Sequence, residues 1–198
     1  MSELPLFPLS GVLMPFGRMP LQIFEPRYVD LVKDCMKTDS PFGVVWIRRG
    51  SEVVERGAAS PDLGDFGTCA HIVDFDQLPN GLLGISIEGG ERFELVETAT
   101  RSNGLLVGQV NKQAAPVATA IKEEWRSLVE VLRSLEVHPH VQNMKLRLDY
   151  NDAWHVGYGL IQVLPLEEHL KYELLCLDNI DELMDEMDVL LNQISGED

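Results

Sequence analysis

Residues that could carry hydrolytic chemistry are present in this sequence, but they do not form a recognisable catalytic motif. Gly84-Ile85-Ser86-Ile87-Glu88 begins like the G-x-S-x-G turn of serine hydrolases, but glutamate stands where the second glycine belongs. Such a serine is activated only in a strained strand-to-helix turn, and this segment is predicted to lie in a hairpin. We therefore expect Ser86 to be structural, and we name no catalytic residue.

Two pairs of side chains have the spacing of an incomplete metal site. Cys69 and His71 are two residues apart, so on a strand they would share a face, and His138 and His140 have the same spacing. Zinc requires three or four converging ligands. Nothing in the sequence brings the two pairs together, so we expect no metal ion and no cofactor.

A third group of titratable residues could act as an acid/base cluster. It consists of Glu167, Glu168 and His169, together with His155. The helical period places His169 on the same side as Leu166, which favours a partly buried imidazole with a structural role.

Charged and aromatic residues also flank Pro26, between an apolar run and a predicted helix. Glu25, Arg27 and Tyr28 lie there, and Arg92 belongs to a predicted hairpin. The charges could fix the strand-to-helix corner through charge-assisted hydrogen bonds, or they could contact a ligand directly. Because charges embedded in apolar sequence are usually paired, we favour the structural role.

The preceding loop, residues 14–19, has the composition of a binding surface. It is too apolar for a solvated loop, and methionine-rich surfaces adapt to varied partners. The alternative is that its apolar side chains fold into the core. The candidate binding residues are Met14, Phe16, Arg18, Met19 and, just beyond the loop, Phe24.

The charge of the chain disfavours several classes of partner. The formal net charge is −16, of which residues 1–114 contribute −5 and residues 115–198 contribute −11. Phosphate backbones and anionic lipids require clustered Lys and Arg. We therefore expect no nucleic-acid partner and no membrane partner.

The sequence predicts a cytoplasmic protein. It has no apolar run of about 18 residues that could span a membrane, and no basic segment precedes an apolar stretch at its start. Its three cysteines, Cys35, Cys69 and Cys176, are odd in number and widely spaced, which fits reduced thiols better than a disulfide framework.

The first part of the chain is predicted to be mostly β. Short strands are expected at residues 4–9 and 20–24, where prolines disfavour helix. Apolar residues at helical spacing predict a helix over 25–37. Further strands are expected at 42–48, 67–75 and 105–110, and residues 49–66 are expected to form a loop or a ragged hairpin. A turn is expected at Pro79-Asn80-Gly81, followed by a hairpin over 82–97 that turns at Gly89-Gly90.

The second part is predicted to be all α. A linker at 114–118 precedes helices from 119 to 135, from 151 to 164, from 166 to 177 and from 178 onward. Asn151 and Asp178 are the expected caps, and Met184 and Met187 are expected in the core. His138-Pro139-His140 is expected to end the first helix or to lie just past its end. Strands followed by helices predict an α+β fold with two subdomains, 1–114 and 115–198.

Several ordered motifs resemble the substrate-recognition domain at the N-terminus of Lon proteases. The opening Leu4-Pro5-Leu6-Phe7-Pro8-Leu9 and Ile23-Phe24-Glu25-Pro26-Arg27-Tyr28 are the most specific. Phe42-Gly43-Val44-Val45, Gly67-Thr68 with Ala70 and Ile72, Gly90 with Arg92-Phe93, and the segment 171–175 follow in the family's order, with Tyr172 where the family has Gln.

This resemblance implies a small PUA-like β-barrel with one helix, followed by a helical bundle. It implies a non-enzymatic module that recognises polypeptide segments or protein partners, in a groove between barrel and bundle. The 198 residues contain no G-x-x-x-x-G-K-[ST] phosphate loop, so we expect a stand-alone Lon-domain protein without the ATPase and the Ser-Lys peptidase. The alternatives are a small-molecule-binding or RNA-binding PUA-like module and an unrecognised hydrolase; the sequence leaves open a homo-oligomer.

Overall fold

The computed structural model describes residues 1–52 and 61–196, so residues 53–60 of the predicted loop at 49–66 lie outside the described residues. The chain forms two compact units, Met1–Ala115 and Pro116–Asp198. The first contains six strands and a helix, and the second contains helices. The predicted α+β class is therefore confirmed.

The strands described in the first unit, within residues 1–52 and 61–115, belong to one sheet. They are β1 (Ser2–Leu9), β2 (Arg18–Ile23), β3 (Phe42–Arg49), β4 (Asp62–Gln77), β5 (Leu83–Thr100) and β6 (Leu106–Lys112). Their order is β2-β5-β4-β3-β1-β6, and β5 also pairs with β6, so the pairings from β5 through β4, β3, β1 and β6 return to β5. Only the β1–β3 pair is parallel among these pairings.

Helix α1 (Pro26–Thr38) follows the sequence prediction closely. Pro26 occupies the first turn, where its missing N–H costs no hydrogen bond. Asp39 ends the helix in the left-handed conformation, and its N–H donates to the Cys35 carbonyl. Most of the predicted apolar face is buried, but Met36 at its end is exposed.

The prediction of a hairpin turn at Gly89-Gly90 is wrong. Both glycines lie inside the continuous strand β5, and the hairpin that does form joins β4 to β5 through the predicted turn at Pro79-Asn80-Gly81. A Cβ at Gly89 would lie 2.1 Å from the Met14 carbonyl oxygen. Gly89 is therefore required because another segment approaches its backbone, which local turn chemistry does not reveal.

The first half of β5 pairs with β2, and its second half pairs with β6, while β4 pairs along both halves. Residues 18–19 were predicted as loop, but they begin β2. Within the described residues β2 pairs with β5 alone, so its other edge carries no strand.

The second unit comprises five α-helices after a short 3₁₀ turn, Glu123–Trp125. They are α2 (Arg126–Glu136), α3 (Pro139–Met144), α4 (Ala153–Val163), α5 (Glu168–Leu175) and α6 (Ile180–Ser195). Helix α4 is buried along most of its length and packs against α2 and α6. A Cβ at Gly157 would lie 2.4 Å from Leu183 Cδ2, so glycine permits this close packing. Met184 and Met187 are buried, as predicted.

Three details of these helices differ from the prediction. Asp152, rather than Asn151, caps α4 by accepting from the Trp154 N–H at 3.1 Å, and Asn179, rather than Asp178, caps α6. His138-Pro139-His140 lies just past the end of α2, as predicted, but it also starts the helix α3, which was not predicted, because proline suits a first helical turn. Among the described residues, no helix combines the length and apolar character needed to cross a membrane.

Candidate functional site

The loop before β2 is tied to β5 by a tight turn. The Gly17 N–H donates to the Met14 carbonyl at 3.0 Å, which closes a turn with Pro15 and Phe16 at its centre. The Phe16 N–H donates to the Gly89 carbonyl at 2.7 Å, and the Gly89 N–H donates to the Gly17 carbonyl at 2.9 Å. Phe16 has a φ of 62°, a left-handed conformation that glycine normally supplies at this turn position.

The five candidate binding residues occupy different environments. Met14 has 0% exposure, so its proposed role in binding is corrected to one in the core. Phe16, Arg18 and Met19 are partly exposed, and Phe24 is 57% exposed. The burial of Met14 follows from the hydrogen bonds that draw residues 14–17 onto β5.

Arg18 and Met19 are held by the sheet. The Arg18 Nε donates to Glu88 Oε2 at 2.7 Å, and the two residues face each other across the β2–β5 pair. Met19 packs against the core cluster beneath α1. Arg18 therefore fixes β2 to β5, and its charge is neutralised by Glu88.

The strand-to-helix corner after β2 is fixed by a network around Arg27. The Arg27 Nε donates to Glu25 Oε2 at 2.9 Å, and Nη1 donates to the Gly104 carbonyl at 2.9 Å. The guanidinium lies 4.6 Å from the centre of the Tyr28 ring, which stacks on Phe7 with centroids 3.9 Å apart. Burial raises the pKa of Tyr28 to about 12.

Arg92 belongs to strand β5 and not to the segment that joins β2 to α1. It is on β5 opposite Thr68, and its carbonyl accepts from the Gln113 N–H at 2.9 Å. Thr68 is itself buried, and its hydroxyl donates to the Leu13 carbonyl at 2.7 Å.

A cleft of about 260 Å³, which we call the edge cleft, borders the outer edge of β2. Its apolar lining is formed by Phe7, Leu9, Leu21, Phe24 and Tyr28. Glu25 and Glu52 are its two carboxylates; Glu52 Oε1 accepts from the Ser10 N–H at 2.6 Å. The exposed ring of Phe24 therefore lies beside an apolar cleft in which the Glu52 carboxylate is held by a backbone hydrogen bond.

A second cleft, the sheet cleft, contains about 270 Å³ and shares Leu21 with the edge cleft. It lies over Gly84, where a Cβ would be 2.9 Å from Leu78 Cδ2, and its lining includes Phe75, Asp74 and Asp76. A third, the helix cleft, contains about 260 Å³ between the end of α1 and β4; it shares Asp74 and Phe75 with the sheet cleft and includes Met36.

Several residues of these clefts were not predicted from the sequence. Leu21, Glu52 and Phe75 were assigned to strands or a loop without a role. The alternation of Asp74, Phe75 and Asp76 on β4 predicts an inward-facing Phe75, but its side chain is 60% exposed, so the local pattern gives no signal for its place in the cleft.

The candidate chemical groups do not converge in the structure. Cys69 is buried whereas His71 is exposed, and burial raises the pKa of the Cys69 thiol to about 11. Burial likewise raises the pKa of the Cys35 thiol, so neither is primed as a nucleophile. Within residues 1–52 and 61–196, no group of three or more His, Cys, Asp or Glu is placed to hold a metal ion.

The proposed acid/base cluster is also not a buried site. His169 was expected to be partly buried, but its side chain is exposed on the first turn of α5, 3.2 Å from the carboxylate of Glu167. His155 Nδ1 accepts from the Asp149 N–H at 3.3 Å. Ser86 lies within β5 and not in a strand-to-helix turn.

Known proteins similar to this chain include both solved structures and a characterised relative. A Lon N-terminal domain protein from Xanthomonas campestris is 30% identical, with a TM-score of 0.76 over 96% of this chain and 98% of that chain. The N-terminal domain of the Mycobacterium avium complex Lon protease shares the fold, with a TM-score of 0.63 over 99% of both chains at 14% identity.

Lon protease 2 of Myxococcus xanthus is 36% identical over 95 residues, which are 48% of this chain and 11% of that protease. The match is therefore confined to a small part of the relative. The substrate-binding domain of ATP-dependent protease La (LON) matches residues 3–193, nearly the whole sequence. The chain belongs to the family of LON substrate-binding domains.

Proposed function

We propose that this chain is a non-catalytic recognition domain that binds polypeptide segments or protein partners in a substrate-recognition or adaptor role. The observation that carries the proposal is the exposed ring of Phe24 beside the apolar edge cleft. Exposed apolar surface that borders a depression commonly marks an interaction site.

Phe24 has the properties of a binding anchor. It lies between β2 and α1, at a corner fixed by the Glu25–Arg27 ion pair and by the hydrogen bond to Gly104. A rigid aromatic side chain loses little conformational entropy when a partner covers it, and aromatic residues are frequent energetic centres of interfaces. Phe16 contributes a second aromatic contact, whereas Arg18 and Met19 position β2.

Strand addition at the outer edge of β2 is a weaker mode of binding. Pro20 lies in this strand opposite Ser86, and proline has no N–H to donate to an added strand. A partner is therefore expected to bind through side chains that enter the clefts, with backbone pairing as a minor contribution.

The wider role follows from the family and from the composition. We propose two subdomains, 1–114 and 115–198, of which the first is a PUA-like barrel and the second a helical bundle. The domain acts in the cytoplasm, and its own residues recognise a partner without catalysing a reaction. The net charge of −16 disfavours nucleic acid and anionic membranes as partners.

The test is the affinity for a fluorescently labelled, permanently unfolded polypeptide, measured by fluorescence anisotropy. Phe24→Ser is expected to weaken binding without altering the circular dichroism spectrum or the melting temperature. The matched control is Val96→Ser, because Val96 is 53% exposed on β5 and lines none of the three clefts. Equal affinities of Phe24→Ser and the unmodified chain would reject this binding surface.

The small-molecule alternative has less support. Ligand pockets usually measure about 300–1,000 Å³, and the three clefts contain about 260–270 Å³ each. A metabolite that raises the melting temperature with the logarithm of its concentration above its Kd, while Phe24→Ser leaves polypeptide affinity unchanged, would favour that alternative.

A further inference from the structure

The three clefts of the first unit adjoin one another. The edge cleft and the sheet cleft share Leu21, and the sheet cleft and the helix cleft share Phe75. A partner in extended conformation could therefore place successive apolar side chains in neighbouring depressions. An extended segment rises about 3.3 Å per residue, so about nine residues reach roughly 30 Å.

The charges that border these clefts have one sign. Carboxylates line each of them: Glu25 and Glu52 in the edge cleft, Asp74 and Asp76 in the sheet cleft, and Asp39 with Asp74 in the helix cleft. Among the described residues that line them there is no Lys and no Arg. His71, in the helix cleft, is the remaining titratable side chain that can carry a positive charge there.

Backbone N–H groups hold several of these carboxylates in place through hydrogen bonds. Glu52 accepts from the backbone N–H of Ser10, and Asp74 and Asp76 each accept from the N–H of the next residue, at 2.9 and 2.7 Å. Glu25 differs, because Arg27 neutralises it. Asp74 lines both the sheet cleft and the helix cleft, whereas Asp76 lines the sheet cleft alone. We therefore select Glu52 and Asp74 as the acids that meet positive charge on a partner.

We propose that this surface selects extended polypeptide segments in which apolar side chains are flanked by Lys or Arg. The inference rests on the proposed function and specifies its substrate class. The apolar side chains enter the clefts while the basic side chains meet Glu52 and Asp74 at the rims. Segments whose apolar residues are flanked by Asp or Glu are rejected, because like charges then face each other.

The net charge of −16 acts in the same direction. It attracts basic segments before contact and repels acidic ones, and this contribution weakens as salt shortens the screening length to about 8 Å at physiological ionic strength. Selectivity is therefore expected to decrease with added salt, whereas the apolar contribution persists.

The test uses three labelled peptides of about nine residues that share the same Phe and Leu positions and differ only in the flanking residues: Lys, Gln or Glu. Exposed ion pairs contribute modestly, so two of them are expected to make the Lys peptide bind about fivefold more tightly than the Gln peptide. The Glu peptide is expected to bind more weakly than both. Anisotropy at low and high salt measures each affinity.

The named carboxylates are tested with Glu52→Gln combined with Asp74→Asn. The double variant is expected to lose most of the preference for Lys over Gln while its affinity for the Gln peptide stays within about twofold, since exposed polar substitutions change little else. The control removes two carboxylates that line none of the clefts, Glu94→Gln with Glu97→Gln, and is expected to retain the preference.

Two results would overturn the inference while leaving the proposed function intact: equal affinities for the three peptides, or a preference for Lys that survives in the Glu52 and Asp74 double variant. If none of the peptides and no unfolded polypeptide binds, the proposed function fails as well.

Discussion

The left-handed conformation of Phe16 predicts that a glycine variant at this position is more stable than an alanine variant, the reverse of the usual order. A side chain at a φ of 62° places its Cβ close to the following carbonyl oxygen, whereas glycine has no Cβ. We therefore expect Phe16→Gly to be more stable than Phe16→Ala, although both remove the same aromatic ring.

The difference in stability between the two Phe16 variants results from two opposing contributions. Relief of the left-handed strain is worth roughly 1–2 kcal/mol, and the greater freedom of glycine in the unfolded chain costs about 0.5–1 kcal/mol. The glycine variant should therefore unfold with a free energy about 0.5–1 kcal/mol higher than that of the alanine variant. The Phe16 N–H bond to Gly89 is available to both variants.

The comparison needs a position with ordinary extended backbone as its control. Met19, in the adjacent strand β2, is such a position. There the glycine variant should be less stable than the alanine variant by about 0.5–1 kcal/mol, because only the entropic cost applies.

Urea unfolding of the four variants, followed by circular dichroism, measures these free energies. If Phe16→Ala proves as stable as Phe16→Gly or more stable, while Met19 behaves as stated, the turn at residues 14–17 does not hold Phe16 in a strained conformation. The hydrogen bonds between this turn and Gly89 would then be contradicted as well.

Three further predictions concern the supports of the site. Gly89→Ala should destabilise the protein by more than about 2 kcal/mol in urea unfolding, because its Cβ would lie 2.1 Å from a carbonyl oxygen. Gly90→Ala should be tolerated, because its Cβ would lie 3.4 Å from the His71 ring; similar losses in the two variants would contradict the close approach at Gly89. Arg27→Met should lower the free energy of unfolding by about 1–3 kcal/mol, because the Arg27 side chain is 10% exposed and its partners would be left unpaired. Arg101→Met, at a side chain 49% exposed, should lower it by less than about 1 kcal/mol. Equal decreases would show that the network around Arg27 contributes little. The pKa of Tyr28 is raised above its unfolded value of 10.0 to about 12, so the stability that this shift contributes is complete below pH 10 and is lost as the pH rises toward 12. Between pH 9 and 11 the free energy of unfolding of the unmodified protein should fall by about 1 kcal/mol more than that of Tyr28→Phe. Parallel decreases would contradict burial of the hydroxyl.

Much of the fold could be predicted from local patterns. The periodic apolar residues of α1 and the continuous apolar strand at residues 42–48 identified both elements within a residue or two. These signals are informative because each element buries one or both of its faces, and apolar residues recur at the buried positions with the period of that element.

The errors arose where distant segments decide the conformation. Gly89-Gly90 has the sequence of a tight hairpin turn, but the approach of the Met14 carbonyl explains the first glycine, and β5 continues through both. Asn151 and Asp152 can both cap a helix; Asp152 also accepts from the Thr119 N–H at 3.0 Å, a partner 33 residues away that the local pattern does not show.

The candidate site was predicted in part. Phe24 stands out in the sequence as an aromatic residue before a helix, and it is exposed. Met14, which has similar apolar character, is buried because hydrogen bonds to β5 draw its loop inward. Leu21 lines one cleft with Phe75 and another with Glu52, and both partners are distant from it in the chain. These clefts therefore could not be derived from local sequence patterns.

The most direct measurement of the central claim is site-specific photo-crosslinking to a labelled unfolded polypeptide. A photoreactive phenylalanine analogue is introduced at position 24 and, in a second variant, at position 96, which is similarly exposed but lies outside the clefts. The polypeptide-recognition role predicts abundant crosslinks from position 24 that an excess of unlabelled polypeptide abolishes, and few from position 96. Equal crosslinking from the two positions, or none from position 24 while the polypeptide binds, would contradict it.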